Sequence, residues 1–154
     1  MELSSILAPQ AVKVMASATS KKRLFQNLGE IASAAYGMCP TTTAEALQER
    51  ENLGPTGVGQ GIALPHARLA GLESVVGVFV RFETPLDFNA VDRQPVDLVF
   101  ALFAPQDSGV EHLKALALVS RTMRNSNICA KLRANADATT LHAILTADQA
   151  SQAA

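Results

Sequence analysis

The first third of the chain alternates hydrophobic and polar residues with two different periods. Residues 11–16 (AVKVMA) alternate one by one, which predicts a half-buried β-strand. After Ser20, a residue type that caps helix N-termini, apolar residues recur at helical spacing until Gly37. These apolar residues are Leu24, Leu28, Ile31 and Ala35. The patterns therefore predict a strand followed by a helix.

The next segment predicts a second helix and then a glycine-rich loop. Thr42 and Glu45 have the spacing of a capping box, which predicts a helix that ends near Arg50. Residues 54–61 (GPTGVGQG) contain four glycines, which predicts a loop rather than a helix or a regular strand. Residues 62–66 (IALPH) then predict a short strand that is ended by its proline, with the histidine at its carboxyl end.

Two later runs are hydrophobic at almost every position. Residues 74–82 and 96–104 are rich in β-branched and aromatic side chains and have the length of strands. Such continuous hydrophobicity is typical of strands that are buried on both faces of a sheet, so helices must cover them. Between the two runs, residues 85–92 (PLDFNAVD) alternate polar and apolar positions with turn residues, which predicts a short edge strand or hairpin arm.

The last part of the chain has helical patterns. A long helix is predicted from near Gly109 to near Asn125, and two short helices are predicted after it. The stripe that faces the core is predicted, for the long helix, at Leu113, Leu116, Ala117, Ser120 and Met123. Asn127 is predicted to cap the first short helix and Asp137 the second. The order of strands and helices predicts an α/β sandwich in which a mixed β-sheet lies between helical layers.

Composition and charge narrow the class of protein. With 154 residues, 48% hydrophobic and 18% charged residues and a net charge of −1, the chain has the composition of one globular domain. We expect a single domain over residues 1–154, with its core at about 4–146 and a frayed tail at 150–154. The only basic cluster is residues 21–23, so strong binding to nucleic acid is not expected.

Neither a membrane span nor a secretion signal is predicted. The densest apolar run, residues 75–82, is much shorter than the roughly 20 residues that cross a bilayer. Residues 1–9 do not have the charged leader and apolar core of a signal peptide. Cys39 and Cys129 cannot form a metal cluster alone, and buried, inert thiols are the commoner case. We therefore expect a cytoplasmic protein without membrane insertion.

The three histidines are the first candidates for chemistry. His66 follows the glycine-rich loop at the predicted edge of the sheet where α/β proteins bind ligands, although a hydrogen bond to a loop carbonyl would also explain it. His112 is predicted in the first turn of the long helix, where the helix dipole favours a neutral ring, although a solvated first-turn residue is the alternative. His142 lies outside the apolar stripe of the last helix and is expected to be solvated.

The glycine-rich loop is a candidate anion-binding segment. Its glycines lack the spacing of a dinucleotide fingerprint, and no Gly-Lys-Ser/Thr follows, so neither a Rossmann site nor a nucleotide P-loop is predicted. Successive N–H groups near Gly57 and Gly59 could still form an anion-binding nest, although a structural glycine turn is the alternative. Arg50, just upstream, is a candidate anion clamp, or else a solvated surface arginine.

Two other kinds of catalytic site have weak support. Two histidines with Asp87 or Asp92 could form a zinc set, but the sequence lacks HxxxH and CxxC spacings, and no metal is expected. No serine lies on a G-x-S-x-G turn, so catalysis by a Ser/His/Asp triad is not expected either.

One long motif is specific enough to suggest a family. Residues 50–66 (RENLGPTGVGQGIALPH) closely resemble the segment around the phosphorylated histidine in type 2 enzyme IIA domains of the bacterial phosphoenolpyruvate-dependent phosphotransferase system, the fructose/mannitol class. The resemblance continues through residues 83–88, 92–100 and 111–113 and covers about residues 4–146. Within the class, the segments ETPLDF and DRQPVDLVFAL are most similar to the nitrogen-related enzyme IIA, a regulatory branch. The resemblance implies the type 2 enzyme IIA fold.

The resemblance also implies roles for individual residues. His66 matches the phosphoacceptor, which receives a phosphoryl group on Nε2 from the phosphohistidine of a small phosphocarrier protein. His112 matches the second active-site histidine, and Arg50 matches the arginine near the phosphoryl group. The loop residues expected around the phosphoryl group are Thr56, Gly57 and Gly59. Asn52 and Pro55 depart from the family, which often has arginine and serine at these positions on the approach to the loop.

The resemblance predicts a phosphohistidine relay in nitrogen or metabolic regulation that uses no cofactor and no metal. Its expected partners are a nitrogen-branch histidine phosphocarrier, as the donor, and regulatory target proteins. A sugar-transport enzyme IIA that passes the phosphoryl group to an enzyme IIB is an alternative. Two further alternatives are a binding module that has kept the fold without phosphorylation and a metal-dependent hydrolase.

Overall fold

The computed structural model describes residues 1–147, which form a mixed β-sheet and the helices that cover it. The tail predicted at 150–154 lies outside the described residues. Two short 3₁₀ turns, Leu3–Ser5 and Pro9–Ala11, precede the first strand. The strands are β1 (Val12–Met15), β2 (Gly57–Gly59), β3 (Ile62–Ala63), β4 (His66–Leu69), β5 (Val76–Leu86) and β6 (Val96–Pro105). The helices are α1 (Lys21–Tyr36), α2 (Pro40–Leu53), α3 (Val110–Met123), α4 (Ser126–Arg133) and α5 (Ala138–Leu145).

The sheet is built around one antiparallel pair of strands. The strand order is β1-β5-β6-β3-β2, and β4 also pairs with β6. β5 and β6 are antiparallel, whereas β1 runs parallel to β5, and both β3 and β4 run parallel to β6. Residues 78–80 and 98–104 are all buried, so helical layers cover both faces of the central pair. The predicted mixed sheet between helical layers is confirmed.

The predicted strand that ends at His66 is divided at Pro65. Ile62 lies opposite Leu98 and His66 lies opposite Leu102, so β3 and β4 follow the same edge of β6 in one register. Pro65 has no N–H to donate, but its carbonyl accepts a hydrogen bond from the Leu102 amide at 2.9 Å. His66 therefore begins β4 and does not end a strand, which corrects the prediction.

Helix α1 begins and ends where the sequence predicts. Ser20 caps it by accepting a hydrogen bond from the Arg23 amide, and Gly37 ends it with a φ of 71°. Gly29 permits the close approach of α1 and α2, because a Cβ at this position would lie 2.5 Å from the Pro40 carbonyl oxygen. The chain therefore turns back on itself with the two helices in contact.

Helix α2 begins earlier and ends later than predicted. Its first residue is Pro40, whose fixed φ suits the first position of a helix. Thr42 and Glu45 consequently lie inside the helix, and the predicted capping box is wrong. The helix continues past Arg50 to Leu53, so this arginine lies in its last turn.

Two loop predictions need correction. Gly57–Gly59 forms β2, which pairs with β3 around an irregularity in the register, so part of the predicted loop is strand. Of the edge strand or hairpin arm predicted at 85–92, only Pro85 and Leu86 lie in a strand, and they end β5. The following residues connect the antiparallel strands β5 and β6.

Helix α3 turns a different face to the core than the one predicted. Leu113 is 63% exposed, whereas His112, one residue earlier, is only 6% exposed. The buried residues of α3 are His112, Ala115, Leu118, Val119, Thr122 and Met123. A shift of one residue rotates the buried stripe by about 100°. The packing of α3 against β6 determines which face of the helix is buried.

The remaining helices are short and capped by side chains. Asn125, rather than the predicted Asn127, caps α4 by accepting hydrogen bonds from the amides of Asn127 and Ile128. Asp137 caps α5 as predicted, since its carboxylate accepts a hydrogen bond from the Thr140 amide. Within residues 1–147, no helix combines the length and hydrophobicity needed to cross a membrane.

The two cysteines differ in exposure. Cys129 is buried, as expected of an inert thiol, and its burial raises the pKa of the thiol. Cys39, by contrast, is exposed immediately before α2, so the expectation of a buried thiol is wrong for this residue.

Candidate functional site

Three elements bring side chains together around one cleft. His66 begins β4, His112 lies in the first turn of α3 and Arg50 lies in the last turn of α2. The ring centroids of the two histidines are 5.7 Å apart, and the rings are inclined by 42°. The cleft has a volume of about 390 Å³ and is lined by Ala46, Glu49, Arg50, Leu53, His66, Ala67, Arg68 and His112. The structure thus unites the two histidines and the arginine that the resemblance singles out.

The imidazole of His66 is oriented by a backbone carbonyl. Its Nδ1 lies 2.9 Å from the carbonyl oxygen of Leu64. Because a carbonyl can only accept, Nδ1 carries the hydrogen, and Nε2 of the neutral ring keeps its lone pair. Burial lowers the pKa of His66 below 6.5, and the positive charge of Arg50 lowers this pKa further. At pH 7 the ring is therefore neutral, with Nε2 as its nucleophilic atom.

His112 is buried beside His66 rather than solvated. It is 6% exposed, and its Nδ1 is buried without a hydrogen-bond partner among residues 1–147. Burial is the main cause that lowers the pKa of His112, and His66 and Arg68 lower this pKa further. The neutral ring predicted from the sequence is favoured, with burial as the largest cause. The alternative of a solvated first-turn residue is wrong.

Two arginines make the cleft positive. Arg50 donates a hydrogen bond from Nη1 to the Gly54 carbonyl oxygen at 3.0 Å, so it is held at the end of α2. Arg68 lies two residues after His66 on β4 and shares its side of the strand. Their two positive charges against the one negative charge of Glu49 leave the cleft lining with a net charge of +1 when the histidines are neutral. Such a cleft attracts an anionic group, and arginines can bind it through charge-assisted hydrogen bonds.

The three predicted loop residues lie next to the cleft and do not line it. The amide and the hydroxyl of Thr56 both donate to the carboxylate of Glu51, so neither of these donors points freely into the cleft. Gly57 packs against the segment after β5, where a Cβ would lie 2.8 Å from the Ala90 Cβ. Gly59 is the last residue of β2. Their expected role around a phosphoryl group stays a prediction.

Sequence reasoning missed two residues with polar roles. Arg68 lines the cleft, and its position two residues after His66 on a strand was the available signal. Glu51 is buried near the end of α2, with a side-chain exposure of 4%. It continues the buried stripe of Thr43 and Leu47 at a spacing of four residues, so helical periodicity could have indicated a buried carboxylate.

Other polar residues that the sequence raised have structural partners. His142 is half-buried and its Nε2 lies 2.9 Å from the Leu7 carbonyl oxygen, so the expectation of a solvated ring is wrong. The carboxylate of Asp92 accepts hydrogen bonds from the amides of Gln60 and Gln94. Among residues 1–147, no group of three or more histidine, cysteine, aspartate or glutamate side chains is arranged to hold a metal ion.

The two departures from the family pattern lie at the surface. Asn52 is exposed, and its side-chain oxygen accepts a hydrogen bond from Gln48 at 3.0 Å. It lines a groove between α1 and α2 and is not among the residues that line the histidine cleft. Pro55 is exposed in the turn between α2 and β2.

The sequence matches one family over nearly its whole length. Residues 5–148 match the model of the family described as phosphoenolpyruvate-dependent sugar phosphotransferase system, EIIA 2. The nitrogen regulatory protein of Bradyrhizobium diazoefficiens is 42% identical to this chain over 145 residues, which are 94% of this chain and 95% of that protein.

Solved structures of nitrogen regulatory and mannitol IIA proteins share the fold of this chain. The crystal structure of the nitrogen regulatory protein IIA-Ntr from Neisseria meningitidis superposes with a TM-score of 0.85 at 35% identity and covers 92% of this chain and 97% of that one. The crystal structure of mannitol IIA from Escherichia coli superposes with a TM-score of 0.75 at 18% identity, covering 90% of this chain and 97% of that one, and so shares the fold. The resemblance drawn from the motif is confirmed: this chain belongs to the type 2 enzyme IIA family of the phosphoenolpyruvate-dependent sugar phosphotransferase system.

Proposed function

We propose that this chain is a phosphohistidine relay protein that accepts a phosphoryl group on Nε2 of His66 and acts in nitrogen regulation. One observation carries the chemical part of the proposal. The Leu64 carbonyl holds Nδ1 of His66, which leaves Nε2 as the nucleophile in a positive cleft beside Arg50 and His112. Enzyme IIA proteins of this system are phosphoryl-transfer proteins that work with phosphocarrier and enzyme IIB partners. A nitrogen-branch phosphocarrier is the proposed donor, and the cytoplasm is the proposed location of the reaction.

The transfer step balances without a proton acceptor at Nε2. The lone pair of His66 Nε2 attacks phosphorus, the new N–P bond forms, and the N–P bond to the donor histidine breaks. The donor imidazole takes back the electron pair of that bond. The hydrogen on Nδ1 of His66 stays in place, and the Leu64 carbonyl stabilises the positive charge that develops on the ring.

Positioning and charge stabilisation provide the catalysis in this proposal. The transferred group spreads negative charge over its equatorial oxygens in the transition state. Arg50 and Arg68 line the cleft and can neutralise this charge through hydrogen bonds to those oxygens. His112 lies beside the acceptor ring, with the two ring centroids 5.7 Å apart, and its Nδ1 has no hydrogen-bond partner among residues 1–147. Its proposed role is to pack beside the acceptor ring and to limit the access of water.

The proposed regulatory function rests on similar sequences, and the fold supports a second candidate function. The protein from Bradyrhizobium that matches almost end to end is a nitrogen regulatory protein. The structural match to mannitol IIA supports a transport role as the second candidate, in which His66 would pass the group to an enzyme IIB. The regulatory reading is preferred because the relatives with that name are far more similar in sequence.

The proposal is tested by intact-protein mass after phosphorylation. The chain is incubated with phosphoenolpyruvate, the general phosphotransferase enzyme and a nitrogen-branch phosphocarrier. One acid-labile, base-stable phosphoryl adduct is expected in the wild type and is expected to be missing in His66→Ala. His142→Gln is the matched control, since glutamine can still donate to the Leu7 carbonyl, and it should be labelled like the wild type. Equal labelling of His66→Ala and the wild type would reject His66 as the acceptor.

A second assay separates regulation from transport. The phosphorylated chain is mixed with a fructose-type or mannitol-type enzyme IIB, and loss of the adduct is followed over time. Retention of the phosphoryl group supports the regulatory role. Rapid and complete transfer to the IIB would replace it with the transport role.

A further inference from the structure

A continuous path of hydrogen bonds runs from a buried carboxylate to the ring of His66. The carboxylate of Glu51 accepts from the Thr56 amide at 3.1 Å and from the Thr56 hydroxyl at 2.5 Å. The Thr56 carbonyl accepts from the Leu64 amide at 2.9 Å. The Leu64 carbonyl then accepts from Nδ1 of His66, also at 2.9 Å. Each residue on the path therefore fixes the position of the next one.

Glu51 is fixed firmly enough to serve as the start of this path. Its side chain is 4% exposed, and its second partner is the ammonium group of Lys21 at 2.8 Å. Lys21 also lies over the ring of Phe88, with its nitrogen 4.6 Å from the ring centroid. A charged carboxylate in such a buried place is stable only while its donors stay in position. A shift of the Thr56 segment would remove donors from the buried Glu51 carboxylate, and this cost holds the segment in place.

The two sets of donors to Glu51 point to different tasks. The Lys21 contact ties the beginning of α1 to the end of α2, which is a contact between two helices of the scaffold. The Thr56 contacts tie the end of α2 to the segment that leads to the acceptor histidine. Arg50 is the neighbour of Glu51 in the same helical turn and lines the cleft. The last turn of α2 therefore carries both the carboxylate that holds the Thr56 segment and the arginine that lines the cleft.

We infer that Glu51 is a positioning residue for phosphoryl transfer, which acts through Thr56 and Leu64 to hold the imidazole of His66 with Nε2 free for attack. This inference rests on the proposed function, because it assigns Glu51 to the reaction proposed for His66. The negative charge of Glu51 also raises the pKa of His66, against the larger effect of burial. Glu51 touches neither the phosphoryl group nor the reacting nitrogen in this role.

The first test compares Glu51→Gln with Glu45→Gln. Glu45 is an exposed glutamate on the same helix, so its variant is the matched control for loss of one carboxylate. Nitrogen-15 NMR of the His66 imidazole reports which ring nitrogen carries the hydrogen, and this measurement needs no donor protein. The wild type and Glu45→Gln should hold the hydrogen on Nδ1. Glu51→Gln should give a mixture of the two tautomers.

The same variants are compared in transfer kinetics. Misplacement of the acceptor ring predicts that kcat for phosphoryl acceptance falls by about tenfold to a hundredfold in Glu51→Gln. The KM for the phosphocarrier should change little, since Glu51 is buried and cannot contact the donor. Lys21→Met should lower the stability but keep the wild-type tautomer, because the Thr56 contacts of Glu51 remain.

The outcomes distinguish the inference from the proposed function. A folded Glu51→Gln with the wild-type tautomer and wild-type kcat would overturn the inference alone. If Glu51→Gln does not fold, Thr56→Val decides, because it removes only the hydroxyl link: a shifted tautomer supports the inference and an unchanged one overturns it. A wild-type chain that accepts no phosphoryl group from an active phosphocarrier would overturn the proposed function, and the assignment of Glu51 to that reaction would fall with it.

Discussion

The two edges of strand β6 are occupied by segments that different forces hold in place. On one edge lies β5, and the pair buries Phe79 and Phe100 edge to face, with ring centroids 6.1 Å apart. On the other edge lie β3 and β4, which are two and four residues long. The β5 side therefore has the longer hydrophobic contact, whereas the short strands on the His66 side are supplemented by directional polar contacts.

A polar clamp holds the segment on the His66 side ahead of β3. Arg133 donates from Nη2 to the Asp97 carboxylate at 2.9 Å and to the Gln60 carbonyl oxygen at 2.8 Å. The Gly61 carbonyl accepts from the amides of Asp97 and Leu98, at 3.0 and 3.1 Å. Together with the Glu51 contacts to Thr56, the clamp fixes both ends of the glycine-rich loop.

The difference teaches how the fold separates stability from orientation. Hydrophobic burial is non-directional, so the packing of apolar side chains on β5 and β6 stabilises the sheet without fixing the orientation of any one ring. Hydrogen bonds have narrow ranges of distance and angle, so they orient the groups that they join. The acceptor histidine lies where orientation matters, because transfer to phosphorus requires an aligned nucleophile.

The largest expected effect on the hydrophobic side is that of Phe100→Ala. Truncation of this fully buried ring should lower the free energy of unfolding by about 3–5 kcal/mol, through lost burial and the cavity left behind. Urea denaturation measures the loss. The folded fraction should still accept a phosphoryl group at close to the wild-type rate. A rate that falls as far as in a cleft variant would show that the two edges of β6 are not separate in function.

The converse test is Arg50→Met in the cleft. Removal of one charged donor should lower kcat for phosphoryl acceptance by about a hundredfold, which corresponds to about 2.7 kcal/mol of transition-state stabilisation. Stability should change little, since Arg50 is only half-buried and, within residues 1–147, its side chain makes one hydrogen bond, to the Gly54 carbonyl. Stopped-flow or quenched-flow phosphorylation measures the rate. The control is Arg121→Met, because Arg121 is an exposed arginine in the last turn of α3, at the opposite end of that helix from His112. Equal rates for the two variants would contradict the role of Arg50.

Gly61→Ala should both lower the stability and slow phosphoryl acceptance, each by less than the preceding variants do. This glycine has a φ of +80°, and a Cβ would lie 2.6 Å from Arg133 Nη2 and 2.9 Å from Asp97 Oδ1. Backbone strain alone predicts a loss of about 1–3 kcal/mol in stability. Displacement of the clamp should also slow phosphoryl acceptance, which Phe100→Ala should not do. Gly109→Ala is the control for stability, because its Cβ would meet open space and its φ is −96°.

The sequence was most informative where hydrophobic burial or a local cap decides the structure. The runs at 74–82 and 96–104 were recognised as buried strands because nearly every position is apolar. The second run matches β6 closely, whereas β5 begins two residues after the start of the first run and continues to Leu86. Ser20 and Asp137 were recognised as caps because a cap depends on residues within one turn. The motif at 50–66 identified the family because it combines a specific order of residues over a long stretch.

The sequence was least informative where a contact between distant segments decides the structure. Pro65 was taken as the end of a strand, but pairing with β6 resumes at His66, and only the partner strand reveals this. The buried face of α3 was displaced by one residue, because packing against β6 and not periodicity alone selects it. The role of Glu51 depends on donors 30 residues before it and five residues after it, which no local pattern combines.

The smallest expected effect is the pH dependence of phosphoryl acceptance. Burial lowers the pKa of His66 below 6.5, so the neutral, nucleophilic ring should persist to lower pH than in an ordinary histidine. A ring with a pKa of about 6.5 would keep half of its rate at pH 6.5, so the wild type should keep more than half of its pH 8 rate there. The rate should fall only as the pH drops through the lowered pKa. The pH–rate profile measures this, after correction for the donor with a known acceptor.

The same pKa shift has a consequence for stability with a defined sign. The unfolded chain binds a proton at His66 more readily than the folded chain does, so stability should fall as the pH drops from 7 through 6.5 toward the lowered pKa. In His66→Gln this part of the pH dependence should be missing, while the part that comes from His112 remains. Urea denaturation at pH 7.5 and at pH 5.5 measures the difference between the two proteins. An identical loss of stability in the two proteins would show that burial does not lower the pKa of His66. Burial would then not explain why the His66 ring is neutral and nucleophilic.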